Sequence, residues 1–516
     1  MFDNLPWLSI LVVVPVVGAL IIWALPKENR AAAKPIALVT SLVAFAGSVA
    51  MLLTSFDTSR GSEIQLTEKY AWIPQFGVNW ALGVSGVGLV MIMLGTFLVP
   101  IVLLAGWREI QDPNRMALYV ALVLITEAFI IAVFAARDVF LFYILFEAML
   151  IPIYFLIGSF GGVQRRYAAV KFLLFGLFGG LVMLAAVIGL YVAGPGGADG
   201  FMIDNLIGLE MAPQLERLLF LGFFIAFAIK APMWPVHTWL PDAAQQSNAG
   251  TSTLLVGVLD KVGTFGMLTL CLPLFPNASK WAAPVVIVLA IISILYGALL
   301  ALGQNDMMRL IAYTSVSHFG FIVLGIFVFT DVAQTGATFY MLNHGFTTAA
   351  LFLIAGMLIT RGGTQEMDAY GGLQKVVPLM AGTFLVAAMA TLSLPGTSSF
   401  ISEFLVLVGT FTANKPAAIV AVTAIVLAAL YMLLMYQRVF TGPVKPELAQ
   451  TRDLSGFEKW AVGPIVAVLL LFGFYPKPVI DILQPASEES VAQFEANTTS
   501  DGESSALSTT DEGSGK

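Results

Sequence analysis

The chain has 516 residues, of which 58% are hydrophobic and only 11% charged, with a formal net charge of −7 at pH 7. Soluble domains carry about a quarter charged residues, so this composition excludes a soluble enzyme and identifies an integral membrane protein. One cysteine, Cys271, and three histidines, His237, His318 and His344, are too few for an iron–sulfur cluster or a disulfide framework. Apolar stretches of about 18 to 25 residues begin near Leu8, Pro35, Leu82, Met116, Asp138, Ala168, Glu216, Thr251, Ala282, Met307, Gln334, Val376, Ala417 and Phe457. They predict about fourteen membrane-spanning helices and an all-α integral membrane fold. The first, "WLSILVVVPVVGALIIWAL", has no basic leader or small-residue cleavage site and reads as a span. Connections are short apart from Ser55 to Asn79 and Gly194 to Gln214, so no linker separates two domains. The end of the chain, "SEESVAQFEANTTSDGESSALSTTDEGSGK", is rich in Ser, Thr, Asp and Glu and reads as a disordered acidic tail.

Lys and Arg concentrate in the odd-numbered connections, among them Lys27, Arg30, Lys34, Arg165, Arg166, Arg438, Lys445, Arg452 and Lys459. The positive-inside rule places these connections in the cytoplasm and both termini on the outer side.

Charges inside the spans are the informative exceptions. A charged group at a helix centre costs about 2.5–3.5 kcal/mol, so each needs a reason. Glu147, in "DVFLFYILFEAMLIPIY", lies nine residues from Asp138, or roughly 13 Å along a helix. Glu127 in "LVLITEAFII" and Lys261 in "LLVGVLDKVGTFG" are similarly deep. Fixed internal pairs would be one explanation. The spread of these groups over separate spans favours a pathway instead.

Two spans are expected to break. In "FAIKAPMWPVHTWLPD", Lys230 lies thirteen residues past Arg217, about 20 Å along a helix. Pro232 lacks a backbone donor and disfavours helical geometry at Ala231, so the helix should end just after the lysine. Freed backbone groups at that depth need water or polar partners, which implies a hydrated cavity. A lysine snorkelling past a helix end is the competing explanation. The second break is "LSLPGTSSFISEF", where Pro395–Gly396 interrupts an overlong apolar segment and Glu403 follows. Paired broken helices, each with an ionisable group, are what inverted-repeat transporters show. Between the breaks, "RLIAYTSVSHFGF" and "FYMLNHGFTTAALF" place His318 and His344 near mid-membrane. Thr314, Ser315, Ser317, Asn343, Thr347 and Thr348 lie nearby. Histidine can both give and take a proton near neutral pH, which suits a relay. The ionisables in order are Glu147, Lys230, Lys261, His318, His344 and Glu403. A Glu–Lys pair about 4 Å apart is worth roughly 4 kcal/mol at an effective dielectric near 20, so separating Glu147 from Lys230 would be a switch for moving a proton to Lys261.

At these residues the chain resembles the antiporter-like membrane subunits of respiratory complex I, a family shared with Mrp-type cation/proton antiporters and membrane-bound hydrogenases. The resemblance rests on "FYILFEAMLIPIY", "IKAPMWPVHTWLPDA", "GVLDKVGTFG", "RLIAYTSVSHFGF", "NHGFTTAALF" and "LPGTSSFISEFLVL", and covers roughly residues 60 to 480. Within the family, the acidic Glu403 and the absence of a long lateral helix look like the chain M, or fourth-subunit, type of NADH–quinone oxidoreductase. The resemblance implies two inverted five-helix repeats, with helices seven and twelve broken. It implies N-terminal helices over 1–114, repeats over 115–275 and 276–440, a last span over 441–484 and the tail over 485–516. It also implies proton translocation driven by quinone reduction elsewhere. Glu147 and Lys230 would then be the switching pair, Lys261 the central carrier, His318 and His344 the link, and Glu403 the terminal site. No cofactor or metal is expected in this chain; NADH, FMN, iron–sulfur clusters and quinone are expected in partner subunits. The implied partners are adjacent L-type and N-type antiporter-like chains and the lipid of a bacterial plasma (inner) membrane, with no nucleic acid. Two positions depart from the family: Ser85–Gly86 stands where Asp-Gly is common, and Asp260 where an apolar residue usually precedes the lysine. A self-sufficient Mrp-type sodium/proton antiporter is the alternative reading, followed by a subunit of a hydrogenase or formate-coupled complex. A quinone- or haem-binding enzyme is the most distant.

Overall fold

The computed structural model describes residues 5–507. The first half contains helices α1 (Trp7–Ala24), α2 (Ala33–Thr54), α3 (Gly86–Ala105), α4 (Pro113–Ala135), α5 (Val139–Phe160) and α6 (Arg165–Ala193). An interrupted segment follows, α7 (Pro213–Lys230) and α8 (Trp239–Gln246). Then come α9 (Ala249–Leu274), α10 (Pro276–Leu302), α11 (Met307–Phe327) and α12 (Asp331–Gly362). A second interrupted segment, α13 (Pro378–Thr391) and α14 (Ser398–Ala413), precedes α15 (Lys415–Phe440), α16 (Gly456–Phe474) and α17 (Lys477–Leu507). Among the described residues, 12 helices are long and apolar enough to cross a membrane, and the interrupted segments are additional.

Helix starts follow from local chemistry. The first amides of a helix have no intrahelical acceptor, and Asp or Asn supplies one. Asp112 does so for α4, Asp138 for α5, Asn248 for α9, Asp306 for α11 and Asn414 for α15. Both interruptions occur where proline forbids continuation. The backbone leaves helix at Ala231, before Pro232, and again between Leu392 and Thr397, around Pro395–Gly396.

The fold is mostly helical, as expected, and two details are corrected. Within the long connection before α3, β1 (Gln65–Ile73) and β2 (Val78–Val84) form an antiparallel hairpin. The apolar residues of β2 run straight into α3, so sequence periodicity merges strand and helix, and the span begins at Gly86 instead of near Leu82. The hairpin is tied to α5 because the Asn79 amide donates to Asp138 Oδ2 at 2.9 Å.

The second correction concerns the acidic end, which is helical through Leu507; residues 508–516 lie outside the described residues. Leu483, Ser487, Val491 and Phe494 are buried at spacings of four, four and three, one face of a helix. Phe494 stacks on Phe329 with ring centroids 4.0 Å apart. The stripe is too sparse to be read from composition and depends on the surface it packs against. The Leu8 amide donates to Glu68 Oε1 at 2.8 Å, and the Ile482 carbonyl lies against Gly61 and Gly86. The start of α1, the hairpin and α17 therefore share one face of the molecule.

The core positions the site. α9, α11 and α12 are buried along almost their whole length, whereas α2 and α16 present mostly apolar surface outward. Lys261, wholly buried, sits on α9 at the centre of this core.

Candidate functional site

The axis begins on α5. Glu147 lies just before a local break at Met149, and its Oε1 has no hydrogen-bond partner among the described residues. Gly180 on α6 faces it so closely that a Cβ there would collide with the carboxylate. Gly180→Ala should therefore displace Glu147, with a severalfold loss of proton pumping in an otherwise assembled protein. Pumping at the parent rate would show that the carboxylate's position is not used.

Lys230 ends α7 and is 3% exposed. Its Nζ has no hydrogen-bond partner among the described residues and rests over the rings of Phe146 and Phe172, 5.4 and 5.7 Å from their centroids. Such cation–π contacts are worth about 0.5–2 kcal/mol each, so aromatic faces replace part of the lost hydration. Glu147 and Lys230 thus flank Phe146 as neighbours in each other's field, without a direct hydrogen bond. The broken backbone beyond is satisfied by side chains: Trp239 Nε1 donates to the Ile229 carbonyl at 2.9 Å, and Ser293 Oγ accepts from the Trp234 amide at 2.8 Å. Asp242, in the same motif, holds α8 in place through Lys171 and Arg309, each at 2.6 Å. His237 is buried against the ring of Tyr296, away from the histidine pair.

Lys261 is the most fully engaged member. The helix around it is locally widened: Leu255–Leu259 is a π-helical turn. Within that turn the Val256 carbonyl accepts from Lys261 Nζ at 2.5 Å. The same Nζ lies 2.7 Å from His344 Nδ1 and 4.9 Å from the centroid of Phe319. His344 and His318 pack edge to face at 5.3 Å between centroids.

Beyond His318 stand two tyrosines that sequence reasoning missed. Tyr431 OH lies 3.5 Å from His318 Nε2, and the Tyr340 ring is 5.7 Å from the His318 ring. Tyr340 OH donates to Glu403 Oε2 at 3.1 Å, and Ser393 Oγ donates to the same oxygen. Tyr340 precedes His344 by one helical turn, so a same-face reading of α12 could have found it. Tyr431 arrives from α15 with no local signal. Asn343 Nδ2 donates to the Ser398 carbonyl at 2.9 Å and to Ser402 Oγ at 3.3 Å, fixing the start of α14 beneath Glu403.

The structure thus brings Lys261, His344, His318 and Glu403 into one line, with Glu147 and Lys230 adjoining. The hydroxyls expected to surround the histidines are mostly spent locally. Thr314 and Ser315 donate to the Ile311 carbonyl, Thr347 and Thr348 to that of His344, and Ser317 to Ile294. Glu127 is buried with both carboxylate oxygens unpartnered among the described residues. Buried titratable groups in contact with one another are an arrangement through which a proton could be passed.

The family model described as NADH:quinone oxidoreductase/Mrp antiporter, TM, matches residues 136–428. The NADH-quinone oxidoreductase subunit M of Mycobacterium tuberculosis (strain ATCC 25618 / H37Rv) is 50% identical over 524 residues, covering 95% of this chain and 94% of the relative. The protein of the same name from Rhodobacter capsulatus is 39% identical over 508 residues, covering 95% and 97%. Among solved structures, a chain of respiratory complex I from Thermus thermophilus superposes with a TM-score of 0.86 at 31% identity, covering 94% of this chain and 99% of that one. A chain of the Mrp complex from Dietzia sp. DQ12-45-1b superposes with a TM-score of 0.85 at 21% identity, covering 95% and 99%, and shares the fold. On the strength of the model match and these identities, the chain belongs to the NADH:quinone oxidoreductase/Mrp antiporter family of membrane subunits.

Proposed function

We propose that this chain is the M-type proton-translocating membrane subunit of an NADH–quinone oxidoreductase. The observation that carries the reading is the buried run Lys261–His344–His318–Tyr340–Glu403, hydrogen-bonded at its two ends and joined by ring contacts between them, in a chain half identical to a protein named as that subunit. Redox chemistry belongs to partner subunits carrying NADH, FMN, iron–sulfur clusters and quinone; this chain supplies the proton path. Its neighbours are L-type and N-type antiporter-like chains in a bacterial inner membrane, with both termini on the outer side. If each interrupted segment is one crossing, these and the 12 candidate spans among the described residues would make fourteen. The two breaks correspond to one another in a pair of inverted repeats.

In this mechanism the charge on Glu147 holds a proton on Lys230. Withdrawing that charge drives the proton to Lys261, whose ammonium passes it through His344 and His318. Tyr340 and Glu403 form the terminal site. Tyr340→Phe removes one donor to Glu403 while Ser393 remains, so pumping should slow severalfold in an assembled complex. An unchanged rate of proton uptake in membrane vesicles would take Tyr340 out of the path.

Gentle detergent extraction from native membranes tests the assignment. Co-purification with an NADH-oxidising, quinone-reducing assembly supports a respiratory subunit. Co-purification with small membrane chains alone, together with sodium-dependent proton flux, would instead establish the Mrp-type antiporter, the reading favoured by the shared fold of the Mrp complex chain.

A further inference from the structure

Asp260 directly precedes Lys261, is fully buried, and neither of its carboxylate oxygens has a hydrogen-bond partner among the described residues. A bare carboxylate in such a place is expensive unless a cation compensates it. The packing of α9 shows which cation does so. Side chains three apart on a helix share a face. Lys261 and Thr264 both turn toward α12, where they meet His344 and Met341 Sδ. Asp260 belongs to the other face, with Gly263. A Cβ at Gly263 would strike the Phe227 carbonyl and the Ala231 amide, the backbone that brackets Lys230. Asp260 is thus carried on the strip of α9 that lies against the broken end of α7, where Lys230 ends its helix, and it directly precedes Lys261.

We propose that Asp260 is a positioning residue, the counter-charge shared by Lys230 and Lys261 that keeps the moving proton in the site when Glu147 withdraws. The inference rests on the proton path assigned above. In the step concerned, one N–H bond on Lys230 breaks and leaves its electron pair on nitrogen. The proton ends on the lone pair of neutral Lys261 Nζ, and in the proposed step Asp260 keeps its negative charge. The two lysines then carry one positive charge between them in both states, with the same negative charge beside each. Without Asp260, only Glu147 would balance that charge, and its withdrawal would leave the cation unpaired halfway through the step. Other ionisable groups on elements around this segment include Glu147 on α5, Glu127 on α4, Glu216 and Arg217 at the far end of α7, Arg309 and His318 on α11, and Tyr340 and His344 on α12.

The test uses the intact complex in sealed inside-out membrane vesicles, reading NADH oxidation and proton uptake between about pH 6 and 9. Asp260→Asn, Asp260→Leu and Asp260→Glu are compared with Lys261→Ala. We expect the Asn and Leu variants to pump at least about threefold less per NADH and to lose pumping from a lower pH than the parent, because nothing then retains the proton on the lysine pair. The Glu variant, which keeps the charge, should recover most of the pumping and the parent pH profile. Leu leaves no polar group stranded, so it gives a reading even if the Asn variant fails to assemble. Parent stoichiometry and pH profile in the Leu variant, alongside a defective Lys261→Ala, would overturn the role of Asp260 and leave the path standing. Normal pumping by Lys261→Ala would overturn the path itself.

Discussion

Lys261→Ala should cut proton pumping to less than about a tenth of the parent rate in a complex that still assembles. The substitution removes the one group that touches both ends of the gap: a widened turn of its own helix at Val256 and the histidine pair at His344. Assembly should survive because the terms oppose one another. Losing the hydrogen bonds leaves the Val256 carbonyl and His344 Nδ1 unpartnered, at about 1–3 kcal/mol each. Alanine also removes a buried ammonium, which costs about 2.5–3.5 kcal/mol to hold at mid-membrane. Lys261→Arg separates two roles. Arginine keeps the positive charge but does not release its proton at any accessible pH. Pumping should therefore stay lost with arginine if Lys261 is a carrier. Recovery with arginine would mean that the lysine only balances charge, and normal pumping with alanine would remove it from the path altogether.

How much of this could be read in the sequence depends on whether the signal was local. Proline chemistry is local, so the breaks after Lys230 and around Pro395 were legible to within a few residues. Depth within an apolar run is also local, and it singled out the six ionisable groups of the proposed path. The hairpin was hidden because β2 is apolar on both faces and continuous with α3, so neither alternation nor a turn separated them. The final helix was hidden for the opposite reason: its buried stripe of Leu483, Ser487, Val491 and Phe494 contains only three apolar residues within a polar segment. Tyr431 and Ser393 join the site through tertiary packing alone. The hydroxyls near the histidines misled because a serine or threonine in a helix most readily donates to a carbonyl one turn back.

Glu147→Gln should impair quinone-linked turnover as well as pumping, and it is the sharper test of the drive. Glutamine has nearly the same shape, and the Oε1 it replaces has no hydrogen-bond partner to lose, so folding is little affected. What changes is the field. Two unit charges about 8 Å apart at an effective dielectric near 20 interact by roughly 2 kcal/mol, enough to change a protonation equilibrium about thirtyfold. Lys230 has no hydrogen bond of its own, and its rings at Phe146 and Phe172 cannot supply a signal that varies. In the proposed mechanism the carboxylate of Glu147 is the element that couples this chain to events elsewhere. If that coupling is obligatory, a chain that cannot accept the signal must also hold back the reaction that sends it. We expect both NADH oxidation and proton uptake to fall by about tenfold, with their ratio changed little. Glu147→Asp, which keeps the charge on a shorter arm, should retain an intermediate rate. Loss of pumping with full NADH oxidation would mean that the drive reaches Lys230 by another route, and full coupled activity would end the switching role of Glu147.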